Sequence, residues 1–187
     1  MSSKRPKEVS VLIEIEKHSN MKWEYDRETD KLVLDRILPY PYFYPQAYGL
    51  FPNTIGNDGD ELDALLISDK LYPNYTTMST TVEGYIVGGI MMYDEKGTDE
   101  KIFVVPKDEY DDYEQMEEHK KRVILEDIVW FFTQYKMKDL DRWSRVDYYL
   151  TAEDATATFN LARYAYDTRL SDEFQKFQEN LEEEEPK

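Results

Sequence analysis

Pro39, Pro41 and Pro45 punctuate an aromatic stretch that runs from Tyr40 to Tyr48. Each proline fixes φ and removes a backbone donor, so this density forbids a helix or a central strand. The segment must be an ordered loop, stiffened by proline and packed through Tyr and Phe. It divides strand-like patterns before it from a mixed remainder. Val9 to Ile15 is rich in β-branched residues and reads as a strand. Lys22 to Tyr25 and Leu32 to Arg36 alternate apolar and polar residues around a polar turn, and so read as a hairpin.

Beyond the loop, Ala64 to Ile67 is a short apolar strand and Thr80 to Met92 a longer one. The longer one carries Gly84, Gly88 and Gly89, which suggest bends or bulges. Lys101 to Val105 is a further strand, stopped by Pro106. The period then changes. Ile124, Ile128, Phe131, Phe132 and Tyr135 fall at helical spacing. Thr151 to Asp154 resembles a capping box that opens a second helix, with Ala155, Phe159, Ala162 and Tyr166 as its stripe. The expected architecture is α+β, a small β-barrel carrying two main helices. Residues 1–178 read as one domain, and 179–187 as an acidic, disordered tail.

Composition narrows the function. The 187 residues carry Asp+Glu 40 against Lys+Arg 23, a net charge of -17. That sign speaks against nucleic acid and against an anionic membrane face. A small anion remains possible if a few cationic side chains and metal ions make a locally positive pocket. With no cysteine, disulfides, thiolate nucleophiles and zinc–thiolate sites are excluded. His18 and His119 are the only histidines, too few for a His-rich metal site. No apolar run has membrane-spanning length and no secretory signal is visible, so the expected compartment is the cytoplasm.

The most informative segment is Asp58-Gly-Asp60-Glu-Leu-Asp63, placed directly before an apolar strand. Concentrated carboxylates repel one another without cations, and hard oxygen ligands suit Mg²⁺. A calcium EF-hand does not fit, because Leu62 and Asp63 occupy the fifth and sixth places counted from Asp58. Asp94 and Asp99, in a predicted hairpin turn, offer further ligands. Lys22, Arg36, Lys101 and Lys136 are candidate phosphate-neutralising cations. Tyr44, Tyr48 and Tyr135 can donate hydrogen bonds to phosphate oxygens. Taken singly, such lysines are more often solvated surface and such tyrosines more often core. Three classes stay open on the residues alone: a pyrophosphatase, another metal-dependent phosphohydrolase, and a non-catalytic acidic binding protein.

In order along the chain, these segments resemble family I soluble inorganic pyrophosphatases. The resemblance rests on Asp58-Gly-Asp60-Glu-Leu-Asp63 and on Ile13-Glu14-Ile15, Lys22-Trp-Glu24, Asp35-Arg36 and Tyr44-Pro-Gln-Ala-Tyr48-Gly. Asp94, Asp99 with Lys101, and Tyr135-Lys136 complete it. It implies an OB-like five-stranded barrel with the site at its mouth, and Mg²⁺-dependent hydrolysis of pyrophosphate with several ions per site. By this analogy Asp58, Asp63, Asp94 and Asp99 hold metal, and Asp60 is the general base for the attacking water. Lys22, Arg36, Tyr48, Lys101, Tyr135 and Lys136 grip the phosphates, while Glu14, Glu24 and Tyr44 order the surrounding shell. The resemblance also implies a homo-oligomer, a hexamer if bacterial-like. The chain departs from many bacterial relatives at Trp130 and Gln134, where histidines are common at a subunit contact.

Overall fold

The computed structural model describes residues 5–73, 80–95, 97–138 and 142–183. Eight strands and three helices follow in the order β1 (Glu8–Ile15), β2 (Met21–Asp26), β3 (Lys31–Ile37), β4 (Ala47–Leu50), β5 (Asp63–Leu66), β6 (Thr80–Asp94), β7 (Gly97–Pro106), α1 (Tyr110–Gln115), α2 (Glu118–Gln134), β8 (Ser144–Leu150) and α3 (Ala152–Glu183). Five strands close into a ring, β1-β4-β5-β7-β6, because β6 pairs back onto β1. The β5–β7 pair is parallel and the other pairs of the ring are antiparallel. Closure removes the exposed edges that an open sheet would carry. β6 is long enough for two partners on one side: Thr80 to Tyr85 meet β1, and Gly89 to Asp94 meet β8. Between them the β6–β7 register slips at Ile86/Gly88, a bulge among the glycines.

The barrel needs one very close approach. A Cβ on Gly49 of β4 would lie 1.9 Å from the Leu12 carbonyl oxygen of β1, so only glycine fits there. The barrel strands are buried on both faces. Leu65, Ile90, Phe103 and Val105 pack with Ile128, Phe131 and Phe132 of α2. Ala64, Leu66, Ile102 and Val104 pack in a second cluster with Ala155 and Ala162 of α3. Thr151 and Asp154 cap α3 reciprocally: the Asp154 amide donates to Oγ1 of Thr151 at 3.1 Å, and the Thr151 amide donates to the Asp154 carboxylate at 3.3 Å.

Some expectations change. β4 begins two residues after Pro45, inside the segment read as loop, and β8 and α1 are additional elements. The hairpin of β2 and β3 forms as expected, but as a two-stranded sheet of its own beside the barrel. Asp94 and Asp99 lie on strands, because β6 runs up to Asp94 and β7 starts at Gly97. The backbone of α3 is helical through Glu183, so the first part of the acidic segment 179–187 is helical, while 184–187 lie outside the described residues.

Candidate active site

The site is the outward continuation of the face that α2 covers. Alternate residues of a strand share a face. On β5 the apolar Leu65 gives way to Asp63. On β7 Phe103 gives way to Lys101 and then Asp99, and on β6 Ile90 and Met92 give way to Asp94. The parallel register sets Asp63 opposite Lys101. Just past the end of α2, Tyr135 and Lys136 reach the same place. One sheet face therefore changes from hydrocarbon to charge along its length.

Lys101 is 3% exposed and bridges Asp63 and Asp99, the second at 2.5 Å. Burial alone would lower its pKa, but the two carboxylates more than reverse this and raise it. Burial raises the Asp99 carboxyl despite Lys101, with Asp63 and Asp94 adding to it. Lys136 bonds Asp94 at 2.8 Å and Glu95 at 3.2 Å. Tyr48 and Tyr135 are pushed up chiefly by burial and stay neutral phenols, able to donate.

The facing wall is the β2–β3 hairpin. Lys22 and Arg36 are direct partners in its register. Lys22 bonds Glu24 and, at 3.1 Å, Asp35. Between the walls, Glu14 of β1 accepts the Tyr25 amide at 2.7 Å. Its carboxyl is pushed up to about 8, chiefly by burial, which outweighs that hydrogen bond.

The third side is the acidic loop between β4 and β5. Gly59, at φ 90, turns the chain where a side chain would be strained. The Asp60 amide donates to Asp58 at 3.1 Å, and the Gly56 amide donates to the Asp60 carbonyl at 2.7 Å. Asp58 and Asp60 are exposed at the pocket wall.

These walls enclose a cleft of about 400 Å³. Its lining contains Glu14, Lys22, Glu24, Arg36, Tyr48, Asp58, Asp60, Asp63, Asp94, Asp99, Lys101, Tyr135 and Lys136. Tyr44 does not line it. It is buried behind, with its ring 5.4 Å from Tyr48 and 4.7 Å from Phe131, so packing is what it contributes. Sequence reasoning missed Glu95, Asp35, Glu61 and Arg142, which also line the cleft. Glu95 adjoins Asp94, and Asp35 adjoins Arg36, so pairs of neighbouring charges were the available signal. Arg142 adjoins no expected site residue.

Among the described residues the lining holds ten Asp and Glu side chains against five cationic ones. Such a pocket repels an anion unless further positive charge enters. Among the described residues no three acidic or histidine side chains stand arranged as a metal cage. Ammonium groups lie against Asp63, Asp99 and Asp94 instead. The donor set is all oxygen, which fits a hard divalent cation.

A family profile described as inorganic pyrophosphatase matches residues 11–167. The inorganic pyrophosphatase of Helicobacter pylori is 37% identical over 163 residues, covering 83% of this chain and 90% of the relative. That of Saccharolobus solfataricus is 37% identical over 147 residues, covering 76% and 83%. Among solved structures, the Helicobacter pylori inorganic pyrophosphatase superimposes with a TM-score of 0.77 at 34% identity, over 89% of this chain and 99% of that one. The Thermus thermophilus inorganic pyrophosphatase gives 0.78 at 31% identity, over 89% and 95%.

Proposed function

We propose that this chain, which belongs to the inorganic pyrophosphatase family, hydrolyses pyrophosphate to two phosphates in the cleft between the barrel mouth and the β2–β3 hairpin. The family is metal-dependent, and we read the metal as Mg²⁺. The observation that carries the site assignment is the lining itself, among the described residues ten Asp and Glu side chains against five cationic ones, around a pocket whose substrate is a polyanion. Asp58, Asp63, Asp94 and Asp99 would hold several divalent ions. When bound, such ions lower the pKa of water and neutralise phosphate oxygens.

The chain's own groups do the rest. Asp60, exposed and next to the cation-holding Asp58, accepts the proton of the attacking water. Lys22 and Arg36 hold the substrate from the hairpin side, and Lys101 and Lys136 from the barrel side. Tyr48 and Tyr135 remain protonated and donate to phosphate oxygens. Glu14 and Glu24 order the hairpin and the solvent around it. Lys101 and Lys136 are already paired with carboxylates, so substrate oxygens compete with Asp63, Asp99 and Asp94 for them. With a divalent ion bound, Asp63, Asp94 and Asp99 would hold the two lysines less tightly, and Lys101 and Lys136 would be free to turn toward the substrate.

The same reading takes residues 1–178 as one domain, working in the cytoplasm as a homo-oligomer. Among the described residues no helix is long and apolar enough to cross a membrane. The test is phosphate release from pyrophosphate, ATP and a phosphomonoester, with Mg²⁺ and with EDTA. The expected result is rapid turnover of pyrophosphate alone, abolished by EDTA. Preference for ATP or the monoester would move the site to another phosphohydrolase class.

A further inference from the structure

The β2–β3 hairpin carries Lys22 and Arg36, yet it shares no strand ladder with the barrel. At its base the Leu38 amide donates to the Asn20 carbonyl at 2.8 Å, and near its tip the Tyr25 amide donates to Glu14 of β1. At its tip, Arg27 forms an ion pair with Glu61, which lines the cleft. The tip is rigid in itself. The Glu28 amide donates to Asp26 at 2.9 Å, the Thr29 hydroxyl donates to Asp26 at 2.7 Å, and the Tyr25 hydroxyl donates to Asp30 at 2.7 Å. A rigid hairpin fixed at its base has its tilt set by whatever holds the far end.

Glu61 is the anchored partner. It directly follows Asp60, and its side chain is 15% exposed against 53% for Arg27. The next residue, Leu62, is buried, and its amide donates to the Thr54 hydroxyl at 3.0 Å. That hydroxyl in turn donates to the Phe51 carbonyl at 2.7 Å. The loop end bearing Glu61 is thus tied into the core. Asp60 and, from α3, Tyr166 also face the Arg27 guanidinium.

We propose that the Arg27–Glu61 pair is a latch that, together with the Tyr25–Glu14 bond, holds the hairpin bearing Lys22 and Arg36 against the acidic loop bearing Asp58 and Asp60. Arg27 and Glu61 are then positioning residues, acting through the groups on either side of the cleft. The inference rests on the reading of this cleft as the pyrophosphate site. An ion pair this exposed adds little to global stability. A displacement of about 1 Å in groups that hold the substrate nevertheless costs up to about 10²-fold in rate. The latch therefore separates activity from stability, which an ordinary surface pair does not.

The experiment compares wild type, Arg27→Ala, Glu61→Ala, the double variant and Arg27→Lys, assayed with Mg²⁺ and pyrophosphate. Urea unfolding midpoints and hydrogen exchange at the amides of residues 25–30 are measured in parallel. We expect each alanine variant to lose about tenfold in kcat/KM, mostly through KM. The double variant loses no more than either single one, Arg27→Lys recovers most of the loss, and urea midpoints stay unchanged. Exchange at the Tyr25 amide, which Glu14 accepts, accelerates in all three alanine-bearing variants. Additive losses, unchanged kcat/KM in an active wild type, or losses that only track unfolding midpoints overturn the latch. A wild type inactive on pyrophosphate removes the reading of the site instead, and the exchange data then decide the latch alone: unaltered exchange refutes it.

Discussion

The two lysine-bearing walls of the cleft differ in how their charges are kept. On the barrel wall the Lys101 side chain is 4% exposed and sits between Asp63 and Asp99. On the hairpin wall the Lys22 side chain is 22% exposed, beside Glu24 and Asp35. Water can screen the second set, whereas it hardly reaches the ammonium of the first. In a low-dielectric wall, each charge is tolerable only while its partner remains. Near solvent, the same pairing contributes little and leaves the side chains free to move. The barrel wall is thus part of the fold as well as of the site, whereas the hairpin wall belongs mainly to the site.

Lys101→Met gives the largest expected effect. It leaves Asp63 and Asp99, partly buried at 26% and 19% exposure, without the cation between them, a loss of about 3 kcal/mol in stability in EDTA. Mg²⁺ should return a good part of that, because a divalent ion at the two carboxylates supplies the missing positive charge. Urea unfolding with and without Mg²⁺ checks this. A loss under 1 kcal/mol, or no response to Mg²⁺, erases the distinction between the walls.

Asp60→Asn sharpens it from the loop side. Asp60 is exposed, so its neutralisation should change stability by less than about 1 kcal/mol. Removing a general base costs on the order of 10²–10⁴-fold in kcat. Stopped assays with purified variant, together with its unfolding midpoint, measure both quantities. Full activity would take the proton-accepting role away from Asp60.

Glu14 lies where the walls meet, facing the Tyr25 amide with Asp63, Lys22 and Glu24 nearby. Its native pKa of about 8 exceeds the ordinary 4.5. The folded state therefore binds more protons than the unfolded state between those values, and stability falls as pH rises through that window. Below about pH 4.5 nothing is lost through this group, and above about 8 the loss is complete. Glu14→Gln, whose amide oxygen can still accept the Tyr25 N–H, should remove that slope in EDTA and stabilise by about 4 kcal/mol at pH 8. Unfolding curves from pH 5 to 9 test it, and parallel slopes for both proteins would contradict the burial of an ionisable Glu14.

Much of this was legible from the chain because its chemistry is local. The acidic loop is a continuous segment, and the alternation of Lys22 and Glu24 announces a shared strand face. The α2 stripe was visible through Ile128, Phe131 and Phe132, which are buried. The missing parts are those decided at long range. β4 is four residues long and owes its existence to β1 and β5 on either side, which no short-range pattern shows. β8 alternates poorly, with Tyr148 and Tyr149 both exposed, and is held by the outer half of β6. Tyr44 and Tyr48 read alike in sequence. Only the packing of Tyr44 on Phe131 separates a core ring from a cleft phenol. Arg27 and Glu61, 34 positions apart, are brought together only by the fold.

The smallest stability effect should come from Lys22→Met, and it is the counterpart of the Lys101 substitution. Lys22 bonds two carboxylates, just as Lys101 does, so a count of ion pairs predicts equal losses. Exposure predicts otherwise. Glu24 and Asp35, at 59% and 32% side-chain exposure, can be rehydrated once the ammonium is gone, whereas Asp63 and Asp99, at 26% and 19%, meet at the place of an ammonium that water hardly reaches, Lys101 being 4% exposed against 22% for Lys22. The expected loss is therefore under about 1 kcal/mol and should shrink further in high salt. Activity should still suffer, because in the proposed site that charge faces the substrate, and a rise in KM for pyrophosphate of about tenfold is the expected sign. If Lys22→Met and Lys101→Met destabilise equally in EDTA, the number of pairings matters and their depth does not. The difference between the walls would then have no energetic content.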